Sequence, residues 1–106
     1  MNLSFTETKK RELINILTNE LKVLRAKIGI TQQELANKLG VSRQTYGMIE
    51  NRVQDMNWSQ YLALIFLFLK NESTAKILEW TGAYTFELEQ YLMLHDEYAN
   101  RKMERA

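Results

Sequence analysis

The chain has 106 residues, 45% hydrophobic and 25% charged, with a formal net charge of +1. That length and apolar share suit one compact domain that needs no covalent staples. With no cysteine and one histidine, a disulfide scaffold, a Cys-based zinc site, an iron–sulfur cluster, a cysteine nucleophile and a multi-His metal site are excluded, and little is left for His-based catalysis. The near-neutral balance creates no global field that would advertise nucleic-acid binding.

The start, Met1 to Glu7, lacks a basic segment followed by an apolar core, so it does not read as a secretory signal. The longest apolar run, Leu62 to Leu69, has eight residues, against about 20 for a membrane helix. The expectation is a cytoplasmic protein with no membrane contact. The chain is free of proline and its apolar residues recur at helical spacing throughout, which predicts an all-α fold.

In chain order, a first helical stretch begins near Ser4 or Thr6, with Ser4 and Glu7 at capping-box spacing. Leu13, Leu17, Leu21, Leu24 and Ile28 then fall on one face. Thr18-Asn19 can interrupt it, so one long helix and two short ones are both open. Gly29 ends it in either case. Thr31-Gln32-Gln33-Glu34 is a second capping box, opening a helix whose inner face is Leu35, Ala36 and Leu39 and which Gly40 stops. Ser42 caps a third helix from about Arg43 to Glu50, with Tyr46 and Ile49 facing inward.

After a polar stretch, Asn51 to Asn57, a fourth helix runs from about Trp58 to Lys70. It is apolar nearly all round, so it should be central or half covered by a second subunit. Trp58, Tyr61, Phe66 and Phe68 read as core. Ser73 caps a short fifth helix that ends at Trp80-Thr81-Gly82. Thr85 caps a last helix to about Arg101, acidic at its start (Glu87, Glu89) and basic at its end (Arg101, Lys102, Arg105), which suits the helix dipole. His95, near Leu88, Leu92 and Ala99 on that helix, reads as a partly buried packing residue. Asp96 and Glu97 are adjacent, so they point apart and make no paired-carboxylate site.

The stretch from Thr31 to Glu50 carries the function. Two short capped helices flank the turn Leu39-Gly40-Val41. Ala36 allows close helix approach, and Val41 and Ile49 close the small core between the helices. Arg43, Gln44 and Thr45 stand at the exposed start of the second of these helices, where a helix-turn-helix meets base edges in the major groove. Residues 20–56 hold six bases (Lys22, Arg25, Lys27, Lys38, Arg43, Arg52) against four acids (Glu20, Glu34, Glu50, Asp55), whereas residues 57–106 hold five bases and seven acids. Positive charge is thus partitioned toward the motif.

Leu24-Arg25, Thr31-Gln32, Leu35-Ala36, Gly40-Val41-Ser42 and Ile49-Glu50 together resemble the phage-repressor/Cro-like (XRE-type) helix-turn-helix family of bacterial transcriptional regulators, over about Leu21 to Asn57. The resemblance implies a lambda-repressor-like helical bundle, here of five to six helices with an extra C-terminal helix. Taken as one domain over 1–106, it has a helix-turn-helix core at about 20–70, an N-terminal helical extension over 4–19 and C-terminal helices over 73–104 for possible dimerisation. It further implies that Gln32, aided by the amides around it and Gln33, contacts phosphate. Arg43 and Gln44 read base edges, each worth about 1–3 kcal/mol of discrimination. Ser42 caps and touches phosphate, Thr45 touches backbone or base, and Arg25 forms a buried ion pair with Glu50.

Three positions depart from the family pattern. Tyr46 replaces an isoleucine or valine, so its ring needs room or its hydroxyl a partner. Gly47 stands inside the recognition helix at a cost of up to about 1 kcal/mol. With Met48 it is either a bare spot for base approach, Met48 touching a thymine methyl, or a tolerated weak position. Arg52 stands where glycine is frequent, so Asn51 is expected to take the left-handed turn, leaving Arg52 to reach phosphate.

The sequence therefore reads as a DNA-binding transcriptional regulator and repressor, acting as a homodimer on double-stranded DNA at an inverted-repeat operator, with Ile77, Trp80, Tyr84, Leu88, Leu92 and Tyr98 as dimer candidates. The last helix either pairs between subunits or covers the chain's own core. An alternative is a protein-interaction module, such as an antitoxin with a partner protein, and a third is a binding protein whose motif no longer reads bases. No enzyme motif, cofactor site or metal site is expected.

Overall fold

The computed structural model describes residues 6–94. Six helices and no strand are present among them: α1 (Glu7–Ile28), α2 (Gln32–Leu39), α3 (Arg43–Glu50), α4 (Trp58–Leu69), α5 (Glu72–Thr81) and α6 (Phe86–Leu92). The fold is all-α, as the proline-free, helix-periodic sequence predicts.

α1 is one unbroken helix. Thr6 caps it, its side chain accepting from the Lys9 amide at 3.1 Å. Thr18-Asn19 does not break it, because the Thr18 hydroxyl bonds back to the Ile14 carbonyl at 2.7 Å and satisfies itself inside the helix. Leu13, Leu17, Leu21 and Leu24 are buried and Ile28 packs at the edge of the core. Gly29, at φ 69°, closes the helix in the left-handed conformation that favours glycine.

α4 buries Tyr61, Leu64, Ile65 and Phe68 against α1 and α5. Trp58 stacks on Tyr61 with ring centroids 4.7 Å apart, and the Tyr61 hydroxyl donates to the Ala83 carbonyl. Asn57 and Gln60 form a capping box at the start of α4. Phe66 departs from the expected core assignment. It is 60% exposed, with the Lys70 ammonium 4.2 Å from its ring centroid. It lies one residue beyond the buried Ile65 and so turns about 100° away from the packed face.

Asn71, not Ser73, caps α5. Its side chain accepts from the Ser73 amide and hydroxyl at 3.1 and 2.7 Å. The chain leaves α4 at Lys70, so the extended residue that can cap the next helix is Asn71 (φ −111°, ψ 127°). Buried Thr74 donates to the Phe68 carbonyl at 2.6 Å and locks the corner.

α6 opens at Thr85, whose hydroxyl accepts from the Leu88 amide at 3.1 Å. It ends at Leu92 rather than near Arg101: Met93 is extended (φ −71°, ψ 127°), and Leu92, Met93 and Leu94 are increasingly exposed. Lys9 of α1 pairs with Glu87 of α6 at 3.3 Å. Leu88 is fully buried in the protein's own core, which withdraws it from the dimer candidates. The expectations for Ser4, His95, Asp96, Glu97, Tyr98, Ala99, Arg101, Lys102 and Arg105 lie outside the described residues. No helix among the described residues is long and apolar enough to cross a membrane.

Candidate nucleic-acid interface

α2 and α3 pack on each other across the turn at Gly40, which sits at φ 82° and donates its amide to Ala36. Leu35, Ala36 and Ile49 are buried between them, and Val41 is half-buried beside them. Thr31 and Glu34 complete a reciprocal capping box, Thr31 N to Glu34 Oε1 at 3.1 Å and Glu34 N to Thr31 Oγ1 at 3.0 Å. The bond from the Thr31 amide, then the Thr31 hydroxyl, holds the Glu34 carboxyl below its usual range. Ser42 caps α3, accepting from the Thr45 amide at 3.0 Å while its hydroxyl donates to Thr45 Oγ1 at 3.0 Å.

Behind α3 lies a buried polar knot centred on Glu50. Arg25 donates through Nε to Oε2 at 2.8 Å and through Nη2 to Oε1 at 2.7 Å, the two-pronged geometry that guanidinium and carboxylate favour. The Tyr46 hydroxyl donates to Oε2 at 2.6 Å, and Gln32 Nε2 donates to Oε1 at 3.2 Å. Arg25 also reaches the Ile30 carbonyl at 3.3 Å, so the knot joins α1, the α1–α2 turn, α2 and α3. Burial pushes the Glu50 pKa up, but the bonds from Arg25, Tyr46 and Gln32 outweigh it and leave the carboxyl below its usual range. The Glu50 bond raises Arg25, and burial, then Glu50, raises Tyr46. The oversized Tyr46 ring is fully buried, and its hydroxyl finds its partner one turn along its own helix. Sequence spacing offered that signal, since Tyr46 and Glu50 are four residues apart.

The opposite face of α3 is open. Ser42, Arg43 and Gln44 are exposed, and Thr45, Gly47 and Met48 are half-buried. Gln33 is exposed and donates to Asn37 Oδ1 at 2.9 Å. Gly47 has ordinary negative-φ helical geometry, and a Cβ added there would meet only Gln32 Oε1, at 3.9 Å. Lys27, in the last turn of α1, and Lys38, in the last turn of α2, are exposed cations.

The loop after α3 departs from expectation. Asn51 has φ −88°, and Arg52 itself takes the left-handed turn at φ 62°. The Arg52 guanidinium lies along α1, donating to Asn15 Oδ1 at 2.9 Å, to the Asn15 carbonyl at 3.2 Å and to Asn19 Oδ1. The reason is tertiary: α1 offers two amide side chains and a carbonyl beside that turn. Their pull offsets the strain of a positive φ at a residue with a Cβ.

Residues 21–61 match the family model described as Helix-turn-helix. This segment is similar to the helix-turn-helix family. The match takes in the end of α1 from Leu21, all of α2 and α3, and the start of α4. Comparison with curated proteins and with solved structures gave no match. In DNA-binding helix-turn-helix proteins the second helix enters the major groove; the second helix of this pair is α3, and its exposed start carries Arg43 and Gln44. A helix-turn-helix is an architecture that DNA-binding proteins use. No group of side chains able to hold a metal ion is present among the described residues.

Proposed function

We propose that the protein is a sequence-specific transcriptional repressor that lays α3 in the major groove of double-stranded DNA and binds an inverted-repeat operator as a homodimer. The observation that carries this reading is the two-sidedness of α3. One face is fastened to α1 and α2 through the Glu50 knot, and the other presents Arg43 and Gln44 to solvent. Arg43 pairs bidentately with guanine and Gln44 with adenine. Gln33, Ser42 and Thr45 position the helix on the DNA backbone, and Met48 lies against the groove. Arg52 is left out of the contact set, because its guanidinium is engaged by Asn15 and Asn19.

The homodimer rests on the α5–α6 end. Trp80 is 90% exposed, and Phe86 and Leu92 are exposed beside the half-buried Ile77 and Tyr84. Large exposed apolar side chains of this kind mark association surfaces. The same residues favour a second reading, an interaction module that binds a different protein there.

Selection from a random double-stranded DNA pool at near-physiological salt tests the proposal. An enriched inverted repeat, lost in Arg43→Ala and Gln44→Ala, is the expected result. Binding should weaken steeply with added salt, since phosphate contacts release counterions. Failure to enrich any sequence, with a partner protein co-purifying on the α5–α6 end, would favour the interaction module.

A further inference from the structure

Gly47 costs the recognition helix stability and gains the free protein nothing. Its φ is negative, so no left-handed turn needs it. The nearest atom to an added Cβ is Gln32 Oε1 at 3.9 Å, an ordinary contact, so no neighbour would be displaced. Glycine in a helix interior is among the least favourable residues. Its position lies one turn beyond Arg43 and Gln44 on the open face of α3.

Gln32 forms the other wall of the small recess this leaves. Its Nε2 donates to Glu50 Oε1 at 3.2 Å. A carboxylate only accepts, so the orientation of the amide is fixed by chemistry: nitrogen toward Glu50, oxygen toward Gly47. Glu50 in turn is held by Arg25 and Tyr46, so Oε1 is presented by a braced side chain. It accepts no hydrogen bond among the described residues.

We propose that Gly47 and Gln32 form a reading recess for a base that carries an exocyclic amino group, with Gln32 Oε1 as the acceptor. In the major groove that group is adenine N6 or cytosine N4, whereas guanine and thymine present O6 and O4, which only accept. The recess therefore selects an amino base over a keto base on the strand facing it. The missing side chain at position 47 lets the base edge come close enough for the bond to form. This inference rests on the DNA-reading function proposed above and adds to it a base preference that Arg43 and Gln44 do not supply.

The test compares wild type, Gly47→Ala and Gln32→Ala in selection from a random duplex pool, with binding to the wild-type operator and thermal melting measured alongside. Gly47→Ala should melt higher, by up to about 4–8 °C, yet bind the wild-type operator about tenfold more weakly. Gln32→Ala should lose the adenine-or-cytosine preference at one position of each half-site and keep the others, which a merely structural role for Gln32 would not do. Gly47→Ala binding as tightly as wild type, or Gln32→Ala retaining every base preference, would overturn the recess. A wild-type protein that enriches no sequence would overturn DNA reading itself, before either variant is needed.

Discussion

The Tyr46 hydroxyl donates to Glu50 at 2.6 Å from one helical turn away, so the recognition helix carries the donor that helps fasten its own carboxylate. The ring is buried without the hydroxyl going unpaired. Tyr46→Phe keeps the ring and removes the donor, while Arg25 and Gln32 still hold the carboxylate. A loss of about 1.5–3 kcal/mol is expected, as for a hydrogen bond to a charged group. Urea unfolding of the two proteins measures it, and an unchanged midpoint would mean the bond contributes nothing.

Arg25→Ala takes both prongs from a carboxylate whose side chain is 1% exposed. Stranding a buried charge typically costs about 3–5 kcal/mol, so this variant should be far less stable than Tyr46→Phe. Replacing the pair together, Arg25→Met with Glu50→Leu, should recover much of the loss, because no unpaired charge remains. Denaturant melts of the single and double variants separate the cost of stranding the charge from the value of the pair.

Acid should expose the same knot. The folded pKa of Glu50 lies below the ordinary value of 4.5. Its contribution is therefore fully present above the unfolded value and is lost as pH falls through the folded one. Glu50→Gln should be less stable than wild type at pH 7, and the gap should narrow on acidification. Tm recorded from neutral pH down to about pH 3 reads this directly; a constant gap would place the carboxylate's contribution elsewhere.

At Arg52 two effects oppose each other, and two substitutions pull them apart. Arg52→Gly relieves the positive φ but gives up the bonds to Asn15 and Asn19, so it should stay within about 1 kcal/mol of wild type. Arg52→Ala loses the bonds and keeps the strain, which should cost about 1–3 kcal/mol. Equal stability of the two variants would mean the backbone at this turn is not strained.

Leu88 belongs to the core and Trp80 to the surface. Leu88→Ala should cost about 2–5 kcal/mol in unfolding, as a buried leucine does. Trp80→Ala should leave the fold of the single chain intact and instead weaken self-association, read by sedimentation equilibrium. A dimer that survives Trp80→Ala unchanged would move the interface away from this end.

Much of the fold was legible because local signals agreed with tertiary ones. The leucines at 13, 17, 21 and 24 define one face, and the Thr31 box, the Ser42 cap and Gly40 bracket α2 and α3. The exposed start of α3, with Arg43 and Gln44, followed from the same marks. What could not be read depended on distant neighbours. Asn15 and Asn19 decide that Arg52 rather than Asn51 turns left-handed, and they lie more than thirty residues away in sequence. The end of α6 at Leu92, with Met93 already extended, is not revealed by the periodicity of Leu88 and Leu92. Phe66 looks like core by type, yet its position around the helix turns it out to meet Lys70.

The unbroken α1 has a consequence for DNA geometry. Its 22 residues make a rod about 33 Å long. Near one end Lys9 forms a surface ion pair with Glu87 of α6, and near the other Arg25 is fastened to Glu50 of α3. In a dimer joined at the α5–α6 end, this rod acts as a ruler with no hinge along it. Inserting a single base pair between half-sites turns one of them by about 34–36°, and α1 offers no joint with which to follow.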